Sequence, residues 1–365
     1  MSVKNVKRVV SLDVFRGIAV AAMILVSILS GATTPYFLKH SPWIGITFAD
    51  LVFPFFLFIV GVSMAYSFAK RSKQSRSTLW GHFLYRVVAL IIIGLFLNWI
   101  VWGLPLRIPG VLQLIALSSL CAAPMVRFKP KWILLVAAVL LLVQSVIFLG
   151  VGAPGVSAGT FEHDGNIAGF VDTHVFGSEH TLDKNFDPEG IIALISSTAL
   201  VLIGLTFGKL LRKINDKKWN TLGLFSIAGV SSIILGVLIS FWIPVIKQMW
   251  TASFILITAG LGIIILTGMY IYLDVKKRKS VLLLALPMGR NALVIYILAS
   301  VTMVLIQKYT LTSINGPMTI YELFLNGFTS VLGLNLGSVV FGLAFVCLWL
   351  IVAYIMHIKK IYIKL

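Results

Sequence analysis

Residues 252–279 read ASFILITAGLGIIILTGMYIYLDVKKRK. The first 22 of them carry no charge, and Asp274 and four basic residues, Lys276, Lys277, Arg278 and Lys279, follow within six positions. A membrane-crossing helix needs about 20 mostly apolar residues. Such a run, ended by a cluster of lysine and arginine, reads as a crossing helix whose basic end faces the cytoplasm. Comparable runs fall at 16–32, 48–68, 87–103, 108–126, 132–151, 190–211, 221–242, 281–306 and 335–356. With 252–273 they make ten.

Composition agrees. The chain has 365 residues, of which 59% are hydrophobic and 12% charged, with a mean hydropathy of +1.01. Soluble domains carry about 25% charged residues, so lipid must solvate most of this surface. The expected fold is all-α, a polytopic membrane helical bundle of about 10 helices, treated as one domain over 1–365. Segment 309–334, with Gly316, Pro317, Asn326 and Gly327 among apolar residues, reads as a re-entrant or interfacial piece on the outer side. If it crosses instead, the count becomes 11. The first apolar run lacks a small-residue cleavage site after it and reads as a retained helix. Cys121 and Cys347 lie inside apolar runs and are expected to be small buried hydrophobes.

The net charge of +18 would suggest nucleic acid in a soluble protein. Its distribution excludes that reading. Of 30 basic residues, 25 fall in one alternating set of loops, including Lys4, Lys7, Arg8, Lys73, Lys217, Lys218 and Lys364; the other set holds only Lys39, Arg107, Lys184, Lys247 and Lys308. The positive-inside rule then puts both termini in the cytoplasm, in the plasma membrane, with the basic loops against anionic headgroups. Loop 152–189 is polar and extracytoplasmic. It holds seven of the 12 acids and three of the six histidines. That composition suits a solvated loop or a cap over a polar or cationic substrate. No metal-ligand spacing is evident, and no metal is expected.

Ionisable residues at membrane depth are costly and tend to mark pathways or sites. One group lies toward the outer side: His40, Trp43 and Asp50 around the start of the second run; Arg107 and Gln113 at the start of the fourth; Asp187 and Glu189 before the sixth; and Lys247 between the seventh and eighth. A second group, Asp13, Arg16, Arg86, Arg290 and Asn291, lies toward the cytoplasm. Helix capping, snorkelling and interfacial anchoring would account for several of these. His40 stands ten residues before an aspartate inside the membrane and can serve as base or nucleophile. These features alone fit either a membrane enzyme or a transporter or flippase of a polar solute.

The ordered motifs add a resemblance. Ser11-Leu12-Asp13-Val14-Phe15-Arg16-Gly17, His40-Ser41-Pro42-Trp43 running into Ala49-Asp50-Leu51-Val52-Phe53-Pro54, Arg107 to Gln113, Phe186-Asp187-Pro188-Glu189-Gly190, Ile243-Pro244 to Trp250, and Gly289-Arg290-Asn291-Ala292-Leu293 resemble, in the same order, the heparan-alpha-glucosaminide N-acetyltransferase family. The resemblance implies a transmembrane acetyltransferase. It would move acetyl from cytosolic acetyl-CoA, as co-substrate, to an amino sugar or cell-envelope glycan outside. His40 then falls on the catalytic position, with Asp50 to orient it. Arg107, Gln113, Asp187, Glu189, Lys247 and Trp43 are the expected substrate-binding residues. Arg16, Arg86, Arg290 and Asn291 are expected to hold the CoA phosphates, since arginine binds phosphate bidentately. The expected partners are a CoA thioester, a glycan or amino-sugar acceptor, the lipid bilayer and a second copy of the chain in a homodimer, with no nucleic acid. Ser27 and Ile246 depart from the family pattern, which commonly has asparagine at both places.

Overall fold

The computed structural model describes residues 9–29, 34–71, 74–214, 218–278, 281–313 and 316–363. Lys4, Lys7, Arg8, Lys73, Lys217, Lys279 and Lys364 of the basic set lie outside these, as does the side chain of Lys218. The helices, in order, are α1 Val10–Ile28, α2 Phe48–Lys70, α3 Arg76–Trp102, α4 Val111–Ala122, α5 Pro130–Gly150, α6 Ile167–Phe176, α7 Ile191–Leu211, α8 Lys218–Ile239, α9 Ala252–Met269, α10 Leu286–Arg290, α11 Ala292–Lys308, α12 Ile320–Leu332 and α13 Leu334–Ile358. Among the described residues, eight helices are long and apolar enough to cross a membrane, and a bent pair, Val281–Arg290 with Ala292–Lys308, makes up to nine.

Two of the ten expected runs are therefore broken elements. Run 108–126 yields α4, extended by a 3-10 turn Ala123–Arg127. Pro109 and Gly110 delay its start, because neither favours a helix interior. Run 281–306 bends by 86° at Asn291. Segment 309–334 forms an antiparallel hairpin, β1 Thr310–Ser313 with β2 Gly316–Thr319. The 13-residue α12 follows, opened by a capping box between Thr319 and Glu322. No α12 residue is fully buried, and a helix of that length is too short to cross.

The chain divides into two compact units. The first consists mainly of Pro54–Lys276 with Pro42–Ile46. In it α8 packs on α9, α5 on α7, and α4 on both α3 and α7. Gln144 of α5 is fully buried and donates from Nε2 to Ser196 Oγ at 2.8 Å. A polar side chain in an apolar helix must find such a partner, and here the bond ties α5 to α7. Within and next to loop 152–189, Phe148, Ile167, Ala168, Phe186, Ile192, Ile246 and Met249 form an apolar cluster. The second unit comprises Val10–Ser41, Thr47–Phe53 and Lys277–Leu365. In it α1 packs on α10, α11 and α13, and α12 on α13. The α1–α10 approach depends on glycine: a Cβ on Gly289 would overlap the carbonyl of Asp13.

The cysteines correct one expectation. Cys121 and Cys347 are both free and exposed on the faces of their helices. In a chain whose solvent is lipid, an apolar neighbourhood in sequence does not mark the inside.

Candidate functional site

The second unit carries a histidine–aspartate pair. Asp50 sits in the first turn of α2 with no exposed side-chain surface, while His40 is 51% exposed. His40 Nδ1 and Asp50 Oδ1 are 2.7 Å apart. Asp50 Oδ2 accepts from Ser41 N at 3.0 Å, Thr47 N at 3.0 Å and Thr47 Oγ1 at 3.0 Å. The aspartate therefore pins both ends of the 41–47 loop and caps its own helix. An ionised carboxylate only accepts, so Nδ1 must donate the proton to it. In the neutral ring the remaining nitrogen, Nε2, then carries the lone pair. Asp50 thereby fixes a tautomer as well as a ring orientation.

The same unit gathers three of the four residues expected at a phosphate site. Arg16 Nη1 donates to Asp13 Oδ1 and to Gly289 O, each at 3.3 Å. Arg290 and Asn291 follow Gly289 directly, at the break between α10 and α11. Arg290 Nη1 lies 3.2 and 3.4 Å from the ring nitrogens of His357. Asn291 is buried and bonded through its side chain to Ile361 and Ile363. The starts of α1 and α11 and the end of α13 thus meet. The fourth expected residue, Arg86, lies half-buried on α3 in the other unit.

The first unit assembles most of the expected substrate residues. Arg107 is buried and donates from Nε and Nη2 to the two oxygens of Asp187 at 2.9 and 2.8 Å, and from Nη2 to Glu189. Asp187 also accepts from the backbone of Leu182 and Glu189. Burial alone would lower the Arg107 pKa, but Glu189 and Asp187 outweigh it and raise it above the ordinary value. Gln113 donates to Ile108 O at 3.1 Å and closes the turn before α4. Trp43 donates from its indole to Phe161 O at 2.6 Å and meets His163 and Phe186 edge-on. With Pro42, Asp183, Lys184, Pro188 and Gln248 these side chains line a cavity of about 490 Å³. Lys247 is half-buried in the turn before α9, where its carbonyl accepts from Trp250 N. The Trp250 indole in turn donates to Pro188 O at 2.8 Å.

Several participants escaped the sequence reading. Asp172, buried on α6, accepts from Ile191 N at 2.8 Å and so caps α7 from outside it. Burial pushes its carboxyl up to about 7, opposed by the Ile191 N–H and reinforced by the charges of Asp187 and Glu189. A Cβ on Gly190 would overlap that carboxylate. His163 engages Asp164 through Nδ1 at 2.9 Å and Asp183 through Nε2 at 3.3 Å. Asn98 of α3 donates to Arg107 O at 2.8 Å and Pro109 O at 2.7 Å. Asn98 and Gln144 had a visible signal, a polar residue inside an apolar run. Asp172 and His163 had none beyond their polar loop. Of the two departures from the family pattern, Ile246 is completely buried in the apolar cluster, and Ser27 faces outward on α1.

Comparisons with known proteins bear on this arrangement. Residues 8–239 match the family model described as heparan-alpha-glucosaminide N-acetyltransferase, catalytic. The mouse (Mus musculus) protein named heparan-alpha-glucosaminide N-acetyltransferase is 27% identical over 352 residues, covering 80% of this chain and 53% of its own length. The human (Homo sapiens) protein of the same name is 27% identical over 355 residues, covering 80% and 52%. The chain spans about half the length of the curated relatives it matches. The family match takes in more than half of the chain and contains His40, Asp50, Arg107, Asp187 and Glu189. This chain belongs to the heparan-alpha-glucosaminide N-acetyltransferase catalytic family.

Proposed function

We propose that this chain is a membrane acyltransferase that takes acetyl from acetyl-CoA and delivers it, through His40, to the amine of an amino sugar or cell-envelope glycan. The observation that carries the reading is the buried Asp50 at 2.7 Å from His40 Nδ1, which leaves the lone pair on Nε2 of a half-exposed ring. That is the arrangement a histidine base or nucleophile requires. The names of the mouse and human relatives supply the acetyl group and the amino sugar.

The same lone pair serves two routes. In one, Nε2 attacks the thioester carbonyl, the C–S bond breaks, CoA leaves as thiolate, and the acetyl-imidazolium passes its acetyl to the amine. In the other, Nε2 takes the proton from the amine as it attacks the thioester directly. Arg16, Arg290 and Asn291 are proposed to hold the CoA phosphates on the cytoplasmic side. α1, 19 residues long, spans about 28 Å between that end and the segment leading to His40. Within the first unit, the cavity beside Trp43 is proposed as a sugar subsite, with Lys247 next in the chain to the lining residue Gln248. An aromatic wall with a few polar groups on its rim suits a sugar. Arg107, Asp187, Glu189 and Gln113 hold the backbone of this region in place.

The test is incubation of purified protein with radiolabelled acetyl-CoA. Wild type should transfer label to glucosamine or another amino sugar, and His40→Ala should not, while both bind CoA equally. Label trapped on wild-type protein and absent from His40→Ala selects the covalent route. Full transfer by His40→Ala would reject the assignment.

A further inference from the structure

The residues that follow α13 turn back on the chain. Lys360 takes the left-handed conformation, with φ of 56°, and the next three residues run along the α10–α11 break. Asn291 holds them at two points. Its Nδ2 donates to Ile361 O at 3.0 Å, and its Oδ1 accepts from Ile363 N at 3.1 Å. Between these points stands Tyr362, whose ring lies 5.9 Å from the Arg290 guanidinium. Its hydroxyl is 2.8 Å from His357 Nδ1 and 3.4 Å from Arg290 Nη1. Arg290 is thus covered by an aromatic ring and a histidine. Among the described residues its Nε is buried and meets no hydrogen-bond acceptor.

This is an uneconomical way to hold a cation. A buried N–H without an acceptor is destabilising, more so on a charged group. Neither a tyrosine face nor an imidazole neutralises a guanidinium as a carboxylate or phosphate does. An oxyanion at the Arg290 edge would supply both the missing acceptor and the missing charge. To reach it, the anion must displace Tyr362. The hold by Asn291 consists of two hydrogen bonds from its side chain to a short irregular segment, which a charge-assisted bidentate contact can outcompete.

We propose that segment 359–363 is a latch that closes over Arg290 and is displaced by the phosphate of an incoming CoA thioester. The proposal rests on the reading of Arg290 as a phosphate ligand. A closed latch lowers apparent affinity by the fraction of molecules that are open. Releasing it therefore tightens binding without adding a contact. The emptied site stays covered, and the segment opens when CoA binds.

Ile363→Pro removes the N–H that Asn291 holds, and Tyr362→Ala removes the cover; both leave the Arg290 side chain itself in place. CoA affinity should be measured calorimetrically on the full chain in detergent for wild type, both variants and Arg290→Gln. Both latch variants should bind CoA about five- to tenfold more tightly, and Arg290→Gln should bind at least tenfold more weakly. Amide exchange of residues 359–363 in wild type should rise on addition of CoA. Unchanged or weaker binding in the latch variants, with Arg290→Gln weakened, overturns the latch and keeps the phosphate site. Unchanged binding in Arg290→Gln overturns the phosphate site itself. Slower exchange of the segment with CoA would make it a wall of the site and reject displacement.

Discussion

Asp50 and Asp187 are both buried carboxylates at the entrance to a long apolar helix, and each accepts backbone N–H groups from the loop just before that helix. They differ in the cation-forming partner. Asp50 faces a histidine, which gives one ring nitrogen to the carboxylate and keeps the other. Asp187 faces an arginine, permanently charged, whose Nε and Nη2 are taken up by Asp187 and Glu189. On the proposed reading, the same carboxylate geometry serves a reactive centre in one case and a clamp in the other. What separates them is whether the partner can exist neutral with a lone pair. Substitutions that interchange these properties test the distinction.

The largest effect is expected at the first carboxylate. Asp50→Asn keeps the shape and an oxygen able to accept from Ser41 and Thr47. Its amide then faces His40 Nδ1 as a donor. The imidazole must answer by accepting there, which moves its proton to Nε2 and removes the lone pair from the reactive side. Acetyl transfer should fall by about 10²–10⁴, the range that general-base catalysis supplies, with CoA affinity unchanged. Rates from a radiolabel assay, set beside calorimetric binding, check this. A variant with near wild-type turnover would mean that Asp50 only caps α2.

At the second carboxylate the expected loss is in stability. Arg107→Leu leaves Asp187 and Glu189 buried without their cation. Breaking a buried pair by removing one partner typically costs about 3–5 kcal/mol. The midpoint of thermal unfolding in detergent should drop markedly, and activity per folded molecule at permissive temperature should be retained. Loss of turnover at unchanged stability would instead move Arg107 into contact with the acceptor.

The two carboxylates were not equally legible. That Asp50 and Asp187 matter followed from their positions in or beside apolar runs, where a charge is expensive. That Asp50 meets His40 did not follow, because a ten-residue separation across an irregular loop fixes no distance. The long helices were legible because an apolar run of crossing length has few other uses. The breaks at Pro109-Gly110 and Asn291 were harder to see, since hydropathy continues through them and only the backbone changes. Burial was the least legible property. Cys121 and Cys347 face outward from runs as apolar as any in the core, because lipid and protein interior select the same side chains. Ile246 was visible as a departure from the family pattern; its place in a closed apolar cluster shows that the position is packed with hydrocarbon. Ile246→Asn should therefore destabilise the region by about 1–3 kcal/mol, the cost of an unmatched buried amide. A rise in acetyl transfer on that substitution would show the opposite, a polar position lost.

A further effect comes through one proton and sharpens the comparison from a third carboxylate. Asp172 also caps a long helix from a neighbouring segment, yet among the described residues it forms no ion pair with a cation of its own. Burial and the charges of Asp187 and Glu189 hold its carboxyl at about 7, against 3.8 as the ordinary value. Its folded pKa is thus raised, so the folded state binds this proton more tightly than the unfolded one. The contribution is fully present only while both states are protonated, below the unfolded value. As pH rises from about 4 to about 7, the unfolded chain has released its proton and the folded chain has not, so stability falls by up to about 1.4 kcal/mol per pH unit. Above 7 both are ionised and the slope from this group ends. Asp172→Asn should flatten that stretch of the stability profile, because the amide oxygen still accepts from Ile191 N and carries no charge. Thermal melts of wild type and variant between pH 5 and 8 should converge at the acid end and separate at the basic end, with the variant the more stable. Parallel profiles would mean that Asp172 is ionised throughout and shares Arg107 with the other two carboxylates.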